Sequence, residues 1–104
     1  MTNRLSALLA GTALALLALP AQAADLKRAE EIVGGRCFLC HGMEGEAASA
    51  LYPRLAGQHA EYTEAQLVAF RGGVRTNSAQ MSTIAAKMSD KEIKAVSDYI
   101  AGLR

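Results

Sequence analysis

Near the end of the chain Ile93, Val96, Ile100 and Leu103 recur three or four residues apart, the spacing that lines one face of an α-helix. Ser89 stands just before them with Glu92 three residues on, a pairing in which each side chain satisfies an orphan amide of the helix start. Met88 precedes that cap, where an apolar residue packs onto the fourth helical position, Ile93. Tyr99 lies beside the same stripe. An earlier helix is predicted from Asp25, as N-cap, to about Val33, with Leu26, Ala29, Ile32 and Val33 on one face and Lys27, Arg28, Glu30 and Glu31 on the other. Gly34 and Gly35 are expected to loosen or end it. A third helix is predicted over Ala60–Arg71, with Tyr62, Leu67, Val68 and Phe70 as its apolar residues and Gly72-Gly73 as its stop. Between them, 42–57 is rich in small and turn-forming residues and reads as a long loop with a helical turn around Glu46 to Ala50. A loop of that length in so small a chain is expected to wrap something. Val74 to Gln80 reads as a polar connector and Met81 to Lys87 as a further helical turn. No alternating pattern of the kind a half-buried strand requires is present, and the expected fold class is all-α.

The front of the chain has a different character. Arg4 is the sole charge among the first 23 residues, followed by an apolar run from Leu5 to Leu19 and then Pro20-Ala21-Gln22-Ala23. A basic start, an apolar stretch and an Ala-x-Ala site read as an export signal over 1–23, cleaved near Ala23, with a single domain over 24–104. An uncleaved membrane anchor is the alternative, for which 15 residues fall short of the roughly 20 that span a bilayer. The remaining 81 residues carry ten basic and ten acidic side chains, which excludes binding of nucleic acid through a broad basic surface. They hold 22 large apolar side chains, five aromatic. Domains of about 80 residues already struggle to bury enough surface, so something besides side chains is expected to fill the middle.

The two cysteines stand in Cys37-Phe38-Leu39-Cys40-His41. On a helix, positions i, i+3 and i+4 share a face, so both thiols and the imidazole point the same way. This suits haem c, whose vinyl groups take two thiols while the adjacent imidazole reaches the iron. A thioredoxin-type pair would need a βαβ context. A zinc site would need four ligands from Cys37, Cys40, His41 and His59, two of which are sequence neighbours. A plain disulfide would leave His41 and the thin core unexplained.

Beyond that motif, Pro53-Arg54-Leu55-Ala56-Gly57-Gln58, Tyr62, Gln66-Leu67, Phe70-Arg71, Gly73, Arg75, Met81, Ile84 and Ser89-Asp90 with Glu92-Ile93 follow in order. With these residues the chain resembles the small class I cytochromes c of the bacterial periplasm across nearly all of 24–104, though its connector from Asn77 to Met81 is shorter than in many members. The resemblance implies helices wrapped around one covalent haem. A thioether as second axial ligand favours ferrous iron and raises the reduction potential. Met43 is too close in sequence to His41 to reach the other side of a ring, and Met88 already has a packing role. Elimination and the family's pattern together favour Met81, with Met88 the alternative. His59, at the start of the Ala60 helix, is assigned a surface or capping role, with bis-His ligation as its alternative.

The resemblance also gives Pro53 the backbone carbonyl that receives the iron-bound imidazole's other N–H. Arg75, Arg54 and Tyr62 are candidates to pair with the haem propionates, or else are solvated surface groups. Ala29 and Gly34-Gly35 are expected to admit the C-terminal helix, with Tyr99, close to the first helix. The implied activity is one-electron transfer as a soluble, monomeric periplasmic carrier between redox proteins, without enzymatic chemistry of its own. Electrons would cross an exposed edge near Phe38 and Gly42. Alternatives are a haem-bearing subunit of a larger periplasmic oxidoreductase, and a ligand-sensing or catalytic haem protein in which Met81 dissociates.

Overall fold

A computed structural model of the chain describes residue 23 and residues 25–104, and the export-signal reading of 1–23 falls almost wholly outside them. Among the described residues every regular element is helical, as the apolar periodicity predicts. α1 runs over 25–41 in three consecutive stretches: an α-helix over 25–32, a π-turn at Val33–Cys37 and a last α-helical turn at Phe38–His41. A short 3₁₀ turn follows at Met43–Gly45. α2 is Ala60–Arg71, α3 is Ala79–Ala86 and α4 is Asp90–Ala101.

The core forms where the apolar stripes meet. Ala29, Ile32 and Val33 of α1, Leu67 and Phe70 of α2, Ala85 of α3 and Ile93, Val96 and Ile100 of α4 form one buried cluster with Met88. α2 packs against both α3 and α4. The Arg28–Glu92 and Asp25–Lys91 ion pairs, at 2.8 and 3.3 Å, tie α1 to α4 at the surface. Ser97, fully buried, donates its hydroxyl to the Ile93 carbonyl at 2.7 Å, which is how a polar side chain is tolerated in an apolar interior.

The capping box at α4 is complete. The Glu92 amide donates to Ser89 Oγ at 3.1 Å and the Ser89 amide to Glu92 Oε1 at 3.0 Å. Ser89→Ala should cost about 1 kcal/mol, read as a lower denaturant midpoint at an unchanged slope; an unaltered midpoint would show that the cap contributes nothing. The Ser89 amide, followed by the Arg28 guanidinium, also holds the Glu92 carboxyl below its ordinary range. A depressed carboxyl stabilises the fold at pH above the ordinary glutamate value. That contribution is lost as the pH falls through the lowered value.

Six expectations are corrected in whole or in part. Ala23 and Asp25 are both helical, so Asp25 is no N-cap. Gly34 and Gly35 loosen α1 but do not end it: the Phe38 amide reaches back five residues to the Val33 carbonyl, and the wider turn carries the helix on. Nor do those glycines admit α4, because a Cβ at either would meet nothing within 4 Å. The helical turn expected at 46–50 instead precedes it, at Met43–Gly45, and the Ala47 amide is drawn back to the His41 carbonyl at 2.8 Å. The connector after Val74 ends early, since Ser78 caps α3 by accepting the Met81 amide. Among the apolar residues assigned to the first and third predicted helices, Leu26, Tyr62 and Val68 are exposed, and Thr63 is buried on α2.

Candidate functional site

The site begins at the C-terminal turn of α1. Cys37 closes the π-turn, and Cys40 and His41 lie on the α-helical turn Phe38–His41 that follows it directly. Gly42 then turns the chain sharply, with φ +86°, and a Cβ there would lie 2.8–2.9 Å from the Ala48 and Ala47 amides. Only glycine fits that backbone. The loop over 42–57 folds back on itself as the Leu55 and Ala56 amides both donate to the Gly45 carbonyl, at 3.0 and 3.1 Å. The Gly57 amide anchors its far end to the Ile100 carbonyl of α4 at 3.0 Å.

That folding carries Pro53 to His41. The imidazole is buried, 7% exposed, and its Nδ1 lies 2.7 Å from the Pro53 carbonyl oxygen. A carbonyl can only accept, so Nδ1 carries the proton and donates, leaving Nε2 with its lone pair free. The Tyr52 ring meets the imidazole edge-on at 6.2 Å.

His41 faces a cavity of about 490 Å³, whose wall also includes Cys37, Cys40, Met81 and Met88. That volume is in the range of pockets that bury a cofactor. Leu67, Phe70, Val96 and Ile100 give it an apolar lining, and Arg54, Tyr62 and Arg75 stand in its wall. Met81 occupies the first turn of α3 and is half-buried, whereas Met88 is 4% exposed and part of the core cluster. Met43 is 75% exposed, and neither it nor His59 lines the cavity. His59 takes the N-cap position of α2 without a side-chain capping bond.

Cys37 and Cys40 are both free thiols, half-buried. Burial pushes the Cys37 thiol up to about 11, with the Arg36 charge opposing it only in part. Such a thiol is protonated at neutral pH, the reverse of the activated thiolate that a dithiol oxidoreductase needs. Among the described residues no three His, Cys, Asp or Glu side chains converge as a metal cluster. A lone imidazole with a fixed tautomer, two thiols and thioethers around an apolar cavity is the donor set that a covalently attached porphyrin iron takes.

Arg54 makes a 3.6 Å ion pair with Glu46. Arg75 donates from Nη1 to Gln66 Oε1 at 2.8 Å and from Nε to Asn77 Oδ1 at 3.1 Å, with its guanidinium 4.5 Å over the Phe70 ring. Nothing in the sequence pointed to Gln66 and Asn77 as partners of Arg75 or to Tyr52 beside His41: Gln66 figured only among the residues of the family resemblance, and Asn77 only as a polar connector residue. No helix of the described residues is long and apolar enough to cross a membrane.

The sequence profile of the family described as cytochrome c matches residues 26–104. A cytochrome c4 of Pseudomonas aeruginosa is 46% identical over 91 residues, covering 82% of this chain and 45% of that protein. Cytochrome c-554(548) of Halomonas halodenitrificans is 37% identical over 79 residues, covering 74% of this chain and 94% of that one. The crystal structure of reduced recombinant cytochrome c4 from Pseudomonas stutzeri aligns with a TM-score of 0.68 at 40% identity, over 82% of this chain and 50% of that chain. The chain spans less than half the length of the curated cytochrome c4 proteins it matches.

Proposed function

The chain belongs to the cytochrome c family, and on that premise we propose that it is a monohaem one-electron carrier working between periplasmic redox proteins. Its cofactor is covalently bound haem c and its chemistry haem-based electron transfer. When bound, that group supplies a one-electron couple at iron. Cys37 and Cys40 would hold it by thioether links, and His41 and Met81 would supply the protein donors to its iron. With donors from His41 and Met81 the iron would have no open site for a substrate, which favours a carrier over an enzyme.

Each residue's part follows from its chemistry. The Pro53 carbonyl accepts the hydrogen bond from His41 Nδ1, which leaves Nε2 as the nitrogen that would bind the iron and keeps the ring oriented and basic. The Met81 thioether is soft and prefers ferrous iron, which raises the potential. Leu67, Phe70, Val96 and Ile100 keep water from the site, so that little solvent reorganises when the charge changes. The basic start, apolar run and Ala-x-Ala site support export, with 1–23 as leader and 24–104 as the mature domain.

The observation that carries this reading is the 2.7 Å bond from His41 Nδ1 to the Pro53 carbonyl, made beside the cavity that Cys37, Cys40 and Met81 also line. The test is the mass and the reduced absorption spectrum of the exported protein. One covalent haem and a low-spin reduced spectrum are expected; a colourless product with the bare polypeptide mass would overturn the proposal. A carrier should also purify alone, and constant co-purification with a larger chain would make it a subunit.

A further inference from the structure

The connector between α2 and α3 begins with Gly72 and Gly73, forms no regular element and leads to Ser78, the cap of the helix whose first turn carries Met81. Its first half is held by backbone, since the Val74 and Arg75 amides both donate to the Ala69 carbonyl at the end of α2, at 2.9 and 3.0 Å. Its second half is held by one side chain. Arg75 Nη1 grips Gln66 on α2 and Arg75 Nε grips Asn77, with the guanidinium resting over Phe70. Asn77 adjoins Ser78, whose Oγ accepts the Met81 amide at 3.2 Å. A continuous path thus runs from the rigid body of α2 through the guanidinium to the residue that caps α3 and on to Met81.

We propose that Arg75 is a positioning residue for the sixth ligand: its fork joins Gln66 to Asn77 and holds the Ser78 cap, and with it Met81, against the cavity. This rests on the reading of Met81 as ligand. A thioether binds iron weakly enough for other ligands to compete, so the cost of ordering the connector decides how often Met81 leaves. Losing one such hydrogen bond shifts that balance by about two- to tenfold. A guanidinium makes two directed bonds from one rigid plane, whereas an ammonium keeps the charge without the fork. Charge pairing with a haem carboxylate and bracing of the connector are therefore separable.

The experiment is imidazole binding to the oxidised, haem-loaded full chain, followed by absorption at one pH. Met81→Ala is the reference for an open site, and helical circular dichroism confirms folding. Arg75→Lys and Asn77→Leu should each tighten imidazole binding by about tenfold. Asn77→Asp, which keeps the acceptor oxygen, should stay within about twofold of the unaltered chain. If Met81→Ala opens the site but Arg75→Lys and Asn77→Leu bind imidazole like the unaltered chain, the positioning role is overturned and the ligand reading stands. If Met81→Ala itself binds no better, the ligand reading falls and takes the inference with it. Gln66→Met removes the other acceptor at similar size and gives the same readout if Arg75→Lys fails to load haem.

Discussion

Met81→Ala should keep the haem covalently attached, lower the reduction potential and admit an external ligand such as carbon monoxide to the reduced iron. The thioether is the group proposed to favour the ferrous state, and an alanine at the first turn of α3 leaves the polypeptide no donor there. Each tenfold loss of ferrous over ferric preference lowers a one-electron potential by about 59 mV, so a fall on the order of 100 mV is expected. Potentiometry on the purified variant, with a carbon monoxide difference spectrum, reads both effects. The surrounding packing should tolerate the change, because Met81 is half-buried at the edge of the core rather than inside it. An unchanged potential would move the ligand role to Met88, which lines the same cavity.

The second large effect is expected from Cys37→Ser combined with Cys40→Ser. Without two thiols no thioether link forms, and the covalent adduct should vanish from the mass spectrum. Helicity should fall with it. The cavity of about 490 Å³ lies between α1, α2, α3 and α4 and is lined by Leu67, Phe70, Val96 and Ile100, so in the haem-free variant these residues would face water or an unfilled void. Empty apolar cavities cost roughly 24 cal/mol per Å³, and a space this large is beyond what a domain with 22 large apolar side chains in 81 residues can absorb. Far-ultraviolet circular dichroism of the variant checks the coupling; full helicity in a haem-free chain would show that the cofactor is no part of the core.

The all-helical class, α2 and the start of α4 were legible in the chain because their signals are local. Periodicity at 3.6 residues, a Ser–Glu capping box and a glycine pair each act within a few residues. The same locality made Cys37, Cys40 and His41 readable as one face. Where an expectation failed, a non-local or backbone term had won. Gly34-Gly35 reads as a place where the helix loosens or ends, and it only loosens: the Phe38 amide found the Val33 carbonyl and the helix went on. The stretch at 46–50 has helix-forming alanines, yet the return of the Ala47 amide to His41 governs it.

What the sequence determined by itself is therefore the helical elements and the cluster of sulfur and imidazole chemistry, since both depend on neighbours one to four residues apart. Tertiary structure decided the rest: the 2.7 Å approach of His41 Nδ1 to the Pro53 carbonyl, which the sequence offered only through the family resemblance, the cavity wall that Met81 and Met88 share, and the bonds of Arg75 to Gln66 and Asn77. These relations join loop residues across distances set by how the core stripes pack. A hydrogen bond formed only after that packing leaves no periodic trace along the chain.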